Sequence, residues 1–215
     1  MTDTTYRTIN QAAGHTPATI YVAGKRLSDV LIALAALLIL SPVMIIAALA
    51  IACEGKGPIL YKQARTGFQR RRFFIYKFRT MSVMEDGEKA IQCEVNDPRV
   101  TSVGRYLRKL SIDELPQLVN VLRGDMSLVG PRPHPPALDK AFASMLPDYM
   151  ERYNAKPGIT GLAQILGYRG PTKNPGLMER RISADTEYVR RCSFLLDLWI
   201  LLKTVPLVVT GQNAL

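Results

Sequence analysis

The apolar positions of this chain are unevenly spread. From Val30 to Cys53 no charged residue interrupts a run of alanine, leucine, isoleucine and valine, broken only by Ser41-Pro42. About 20 apolar residues, each rising ~1.5 Å in a helix, suffice to cross a bilayer. Yet both flanks are basic, with Lys25 and Arg26 before the run and Lys56, Arg65, Arg70, Arg71, Arg72, Lys77 and Arg79 after it. The positive-inside tendency holds both ends on the cytoplasmic side. Pro42 lacks an N–H and Ser41 offers a hydroxyl to the carbonyl thereby freed, so a bend is chemically reasonable. The pattern therefore predicts a re-entrant helix over 25–55, with Ser41 and Pro42 as the membrane break. The alternative is a spanning helix with a mild proline kink.

Beyond the run the periods change. Pro58 to Gln63 and Phe73 to Arg79 read as two short strands around Gly67, hence a hairpin whose second strand puts Lys77 and Arg79 on one face. That face suits a phosphate or lipid headgroups, or is simply solvated. Leu115, Leu118, Val119 and Leu122 recur at helical spacing, with Pro116 in the first turn and Gly124 as the stop. Phe194 to Val209 is apolar but interrupted by Asp197 and Lys203. This predicts an interfacial amphipathic helix with Trp199 as an anchor, against a plain core helix. Residues 1–24 are polar and without periodicity, which predicts a flexible tail.

Composition and charge narrow the class. The 215 residues suit one domain, 56–215, beside the membrane helix, and the formal net charge of +10 is compatible with anionic lipid, nucleic acid or a phosphorylated substrate. No nucleic-acid motif accompanies the charge, and a nucleic-acid binder does not explain Val30 to Cys53. Cys53, Cys93 and Cys192 are far apart and lack metal-ligand spacing, so neither a disulfide framework nor a zinc site is expected. Ala50-Ile51-Ala52-Cys53 loosely resembles a lipoprotein cleavage site, but the run is longer than a signal core and the following segment too basic to translocate readily.

The chemistry lies between Gly104 and Pro133. Asp113 and Glu114 fall at a helix start, where unpaired N–H groups favour ionised carboxylates. Ser111 to Glu114 also fits a capping box with Asp113 as a cap, the structural explanation of the same acids. Around them stand Arg105, Arg108, Lys109 and Arg123, and a carboxylate working beside phosphates needs such cations or a divalent metal. In Gly130-Pro131-Arg132-Pro133 an arginine sits between two prolines, a stiff loop that suits a preorganised anion contact or a rigid turn.

Read in order, Lys25-Arg26-Leu27-Ser28-Asp29, Ser41-Pro42, Lys77-Phe78-Arg79-Thr80-Met81, Leu110-Ser111-Ile112-Asp113-Glu114-Leu115-Pro116-Gln117, Gly124-Asp125-Met126-Ser127, Gly130-Pro131-Arg132-Pro133 and Pro157-Gly158-Ile159-Thr160-Gly161 closely resemble the bacterial sugar transferases, the monotopic phosphoglycosyl transferases. The resemblance covers residues 25–215.

It implies an α+β, helix-rich monotopic membrane protein with an N-terminal re-entrant helix, a small β-hairpin and interfacial amphipathic helices. It further implies transfer of sugar 1-phosphate from a UDP-sugar to undecaprenyl or another polyprenyl phosphate, on the cytoplasmic face of the bacterial inner membrane. Asp113 matches the family's nucleophile and would carry a phosphosugar. Glu114 would assist the acceptor, and Mg2+ would sit at or near Asp113. Arg108, Arg132 and Lys156 match phosphate-contacting positions, although Lys156 replaces an arginine found in many relatives and lacks its fork. Gly167-Tyr168-Arg169-Gly170-Pro171-Thr172 is similar to the loop of members that load glucose 1-phosphate to begin exopolysaccharide synthesis. Galactose is second. A non-catalytic basic membrane adaptor is the alternative from another class, disfavoured by the intact acid pair and Arg132.

Overall fold

The computed structural model describes residues 18–55, 57–82, 97–168, 170 and 175–210. Lys56, Cys93, Arg169, Pro171 and Thr172, singled out above, lie outside them, as does the tail through Pro17.

Helix α1 is one unbroken element, Ala18–Glu54. Residues 18–24, expected in the tail, are helical because tertiary contacts order them: the Tyr21 hydroxyl and Lys25 ammonium donate to Asp197 Oδ2 at 2.9 and 2.7 Å. Pro42 lies inside the helix. The Leu38 carbonyl, left without its usual donor four residues on, accepts from Ser41 Oγ at 2.8 Å. The helix buries a few positions and leaves most of its large apolar side chains exposed. Ala33, Ala47 and Ile51 are buried, whereas Leu31, Leu34, Leu38, Ile39, Ile45, Ile46 and Leu49 are exposed.

Strands β1 (Leu60–Thr66) and β2 (Arg72–Phe78) form the expected antiparallel hairpin, with Tyr61 opposite Lys77, Gln63 opposite Ile75 and Arg65 opposite Phe73. The pairing extends to Thr66 because the Gly67 N–H closes the tip on the Arg71 carbonyl at 2.9 Å. Helix α2 (Ser102–Lys109) is capped by Thr101, whose side chain accepts from the Gly104 N–H. It leads through Ser111, left-handed at φ 54°, into a 3-10 turn at Ile112–Glu114. Helix α3 (Gln117–Arg123) follows and ends at Gly124 with φ 88°. The capping box does not form: Ser111 makes no side-chain cap bond, and Asp113 lies within the 3-10 turn rather than at a cap.

Strands β3 (Ser127–Val129) and β4 (Gly158–Thr160) pair in parallel, an element no periodicity predicted. Glycine makes the approach possible. A Cβ on Gly130 would lie 2.2 Å from the Lys156 carbonyl oxygen, and one on Gly158 2.1 Å from the Gly130 nitrogen. Helix α4 (Pro136–Phe142), a 3-10 segment (Pro147–Asn154), α5 (Leu162–Ile165), α6 (Pro175–Arg191) and α7 (Phe194–Thr210) complete the chain. The main core gathers Leu118, Val121, Met126, Val129, Tyr188, Leu196 and Ile200 with Ala33 of α1.

Helix α7 is core on one side and apolar but exposed on the other, where Leu195, Leu198, Leu202 and Val205 stand. Trp199, expected as an interfacial anchor, is half-buried and packs against the main core. Asp197 does not mark a wet face. It is buried, and its Oδ1 accepts from Tyr188 at 2.7 Å while its Oδ2 holds α1. Cys53 and Cys192 are free thiols.

Candidate active site

Asp113 and Glu114 are both buried in the turn that opens α3. Glu114 is gripped from two sides. Arg132 forks onto it, Nη1 to Oε2 at 3.0 Å and Nη2 to Oε1 at 2.5 Å, while Lys77 Nζ donates to Oε1 at 3.0 Å. Such bidentate, charge-assisted contacts fix geometry as well as charge. Burial lowers the Lys77 pKa, with the Glu114 charge opposing. Burial also pulls Arg132 down, but Glu114 and Asp113 outweigh it and hold the guanidinium above its ordinary value.

One side chain sets β2 and α3 in register. Asn120, fully buried, donates from Nδ2 to the Phe74 carbonyl at 2.7 Å and accepts the Tyr76 N–H on Oδ1 at 3.1 Å, so its amide pairs with β2 as a neighbouring strand would. Lys77 is the next residue, and this pairing carries it to Glu114.

Arg132 is aimed by a loop whose carbonyls are all but used up. Pro131 accepts from the Gly158 N–H at 3.0 Å and His134 from the Thr66 N–H at 3.1 Å, while Arg132's own carbonyl accepts from Arg152 Nη2. Arg152, 1% exposed, also donates to Asp185 Oδ2 at 2.8 Å and to His134 Nδ1. A guanidinium only donates, so His134 Nδ1 is an unprotonated acceptor. Burial, with Arg152 next, accordingly pushes the His134 pKa well below 6.5. Tyr149 and Tyr153 both donate to Asp139 Oδ1 and complete the network.

Of the sequence-predicted site residues, the structure gathers Glu114, Arg132 and Lys77 with Asp113 beside them. Arg79 and Lys156 are placed elsewhere, while Arg108 lies beside the acid turn. Arg79 does not share the Lys77 site: past the end of β2, its Nη2 donates to the carbonyls of Ile51 and Gly55 at 3.0 and 2.9 Å and closes the C-terminus of α1. Arg108 Nε donates to Thr80 Oγ1 at 2.9 Å, and its carbonyl accepts the Ser111 N–H at 3.0 Å, leading into the acid turn. Lys156 lies at the far end of α3, where an added Cβ on Gly124 would be 3.7 Å from its Nζ; burial and Arg26 lower its pKa. Arg65 was missed. It faces the same side of the hairpin as Lys77, and burial with neighbouring Arg132 draws its guanidinium down to about 10. Strand alternation, continued from Lys77 across the turn, is the signal that finds it.

No cluster of three or more His, Cys, Asp or Glu suited to a metal occurs among the described residues. Magnesium commonly takes one or two carboxylates and completes its shell with water and substrate phosphates, so this donor set fits an ion shared with a diphosphate. Both Glu114 oxygens are held by cations, and Asp113 is the carboxylate next to it in the turn. The site thus pairs two buried acids with cations held beside them.

Comparison with known proteins places this geometry. The family model for bacterial sugar transferases matches residues 20–211. A UDP-glucose:undecaprenyl-phosphate glucose-1-phosphate transferase of Caulobacter vibrioides is 50% identical over 190 residues, 88% of this chain and 71% of that protein. A protein of the same description from Klebsiella pneumoniae is 46% identical over 181 residues, 84% of this chain but only 39% of its own length. A UDP-N-acetylgalactosamine-undecaprenyl-phosphate N-acetylgalactosaminephosphotransferase of Aeromonas hydrophila is 40% identical over 206 residues, 95% of this chain and 48% of the relative. With the family model spanning nearly the whole described chain, the protein belongs to the bacterial sugar transferase family.

Proposed function

We propose that this chain transfers sugar 1-phosphate, foremost glucose 1-phosphate, from a UDP-sugar to a polyprenyl phosphate such as undecaprenyl phosphate, through a phosphosugar carried on Asp113. The observation behind this reading is the buried Asp113-Glu114 turn under the Arg132 fork and Lys77. In the first half-reaction an Asp113 carboxylate oxygen attacks the sugar-linked phosphorus. The P–O bond to the nucleotide breaks and UMP departs, leaving an acyl phosphate. In the second, an oxygen of the acceptor phosphate attacks the same phosphorus and Asp113 leaves as carboxylate. Arg132 and Lys77 offset charge on the phosphate oxygens in both steps. Glu114 keeps those cations aimed and takes the proton of a monoanionic acceptor. Magnesium, held by Asp113 with the donor's diphosphate, would supply further charge shielding.

The membrane reading rests on where α1 is fastened. Near its start, Arg26 donates to the Val121 and Leu122 carbonyls at 2.6 and 2.8 Å; at its end, Glu54 Oε1 accepts the Val103 N–H at 2.8 Å. Both ends thus dock on the same body, which favours a re-entrant path over a crossing. The segment Tyr21–Glu54 is long and apolar enough to cross a bilayer, and its exposed leucines and isoleucines are each worth about 1.5–3 kcal/mol out of water. We therefore place the protein on the cytoplasmic face of the bacterial inner membrane, at the first membrane step of exopolysaccharide synthesis.

Glucose leads because the Caulobacter and Klebsiella relatives are named for it, although the Aeromonas relative is named for a different sugar at 40% identity. One assay tests both reaction and sugar: protein in detergent with magnesium, polyprenyl phosphate and labelled UDP-glucose, UDP-galactose or UDP-N-acetylgalactosamine. Label from UDP-glucose is expected to enter lipid fastest. No lipid label from any donor would overturn the reading.

A further inference from the structure

A cavity of about 150 Å³ opens beside Glu114. Its walls are Leu115 and Leu118 of the acid-bearing segment, Ile159 of β4, and Leu207 and Val208 of α7. Glu114, engaged by Arg132 and Lys77, is the charged group in its lining. One end is therefore ionic and cation-backed while the walls are mainly aliphatic, with Ser111, Thr160, Gln164 and Thr204 as their polar members.

We infer that this cavity seats the isoprene unit nearest the phosphate of the acceptor lipid, and so selects polyprenyl phosphates among membrane anions. The inference rests on the transferase reading and deepens it, assigning a binding site for one part of the acceptor. Size limits the occupant: an apolar cavity of roughly this volume accepts a six-carbon hydrocarbon, so it takes one five-carbon unit and not the chain. Chemistry favours hydrocarbon: aliphatic side chains predominate in the lining, and its Thr160 and Thr204 hydroxyls are hydrogen-bonded to each other at 2.7 Å. Position supplies the route. Leu207 and Val208 lie on the helix whose other side carries exposed Leu198, Leu202 and Val205, so the remaining isoprene units pass from the cavity along an apolar surface to lipid. The phosphate would meet Arg132 and Lys77 while its first hydrocarbon segment is held, which orients it for attack.

Filling the cavity tests the assignment. In Leu207→Trp and, separately, Val208→Phe, the KM for polyprenyl phosphate is expected to rise about tenfold or more, because the displaced segment returns to a less apolar setting. UMP release with UDP-glucose alone should stay at the wild-type rate, reporting an intact donor site. A ten-carbon prenyl phosphate should compete with the acceptor in wild type and lose that ability in both variants, whereas phosphatidic acid should compete in neither. Independently of any variant, a prenyl phosphate with a diazirine on its first unit should label wild-type protein at Leu115–Leu118 or residues 204–208. An unchanged acceptor KM in a filled, folded variant, equal competition by phosphatidic acid, or labelling elsewhere would overturn the site while leaving the reaction standing. Absence of UMP release in wild type would instead strike the transferase reading.

Discussion

Glu114 is the shared counter-charge of two largely buried cations, Lys77 and Arg132, and of the two it is Lys77 whose proton burial loosens. Burial holds the Lys77 pKa below the ordinary lysine value of 10.5 even with Glu114 opposing. Its ammonium is thus lost before that pH is reached. Between the two values the unfolded chain holds more protons than the folded one, so stability rises with pH from this group while cation-dependent activity falls. The expected kcat/KM profile has an alkaline limb below 10.5, without a matching drop in melting temperature. Lys77→Arg should move that limb upward, because the ordinary pKa of a guanidinium lies well above that of an ammonium and the same burial starts from the higher value. A limb unmoved in Lys77→Arg would assign it to another group. Arg132 differs in kind: its fork on Glu114 and its carbonyl on Arg152 fix it from both ends. Its motif, an arginine between prolines, was readable in sequence. Arg152, nineteen positions beyond Pro133, was not, because a buried arginine carries no signal until its partners are known.

At the scale of elements, legibility followed how wet each face is. The hairpin was readable because alternation marks strands with one solvated side, and the long apolar run because nothing interrupts it. Strands β3 and β4 were not, since Ser127–Val129 is buried throughout and each strand is too short to establish a period. Arg79 closes a helix end and Asp197 ties two helices, roles that depend on partners a sequence does not display. In α1 the Ser41 hydroxyl occupies the carbonyl Pro42 leaves open, so the weak point is satisfied without removing the tendency to bend. Pro42→Ala restores the N–H and should increase the population that crosses the bilayer. In a cysteine-free background, Val22→Cys and Tyr106→Cys are expected to react only from the cytoplasmic side. Adding Pro42→Ala should produce periplasmic labelling at residue 22. Periplasmic labelling at residue 22 with Pro42 intact would contradict the re-entrant path.

On the scale of the whole molecule, the membrane helix, the hairpin and the parallel strand pair converge on one turn. α1 fastens to β3 through Asp29, whose Oδ1 accepts the Leu128 N–H at 3.1 Å, and to the hairpin's end through Arg79. Glycine contacts then bring the Arg132 loop against β4, and Arg152 locks it. The acid pair therefore sits where these elements meet. The family motifs made the acid pair and Arg132 legible; the cavity beside them was hidden because its walls come from segments nearly a hundred residues apart. The account stands most directly on a single mass measurement. Wild-type protein incubated with magnesium and UDP-glucose, without acceptor, is expected to gain the mass of one glucosyl phosphate, mapped by peptide analysis to Asp113 and discharged on adding polyprenyl phosphate. Asp113→Asn should gain none and release no UMP. An adduct on Glu114 would contradict it by moving the covalent step to another residue, and sustained transfer by Asp113→Asn with no adduct in the wild type would contradict it in favour of direct transfer within a ternary complex.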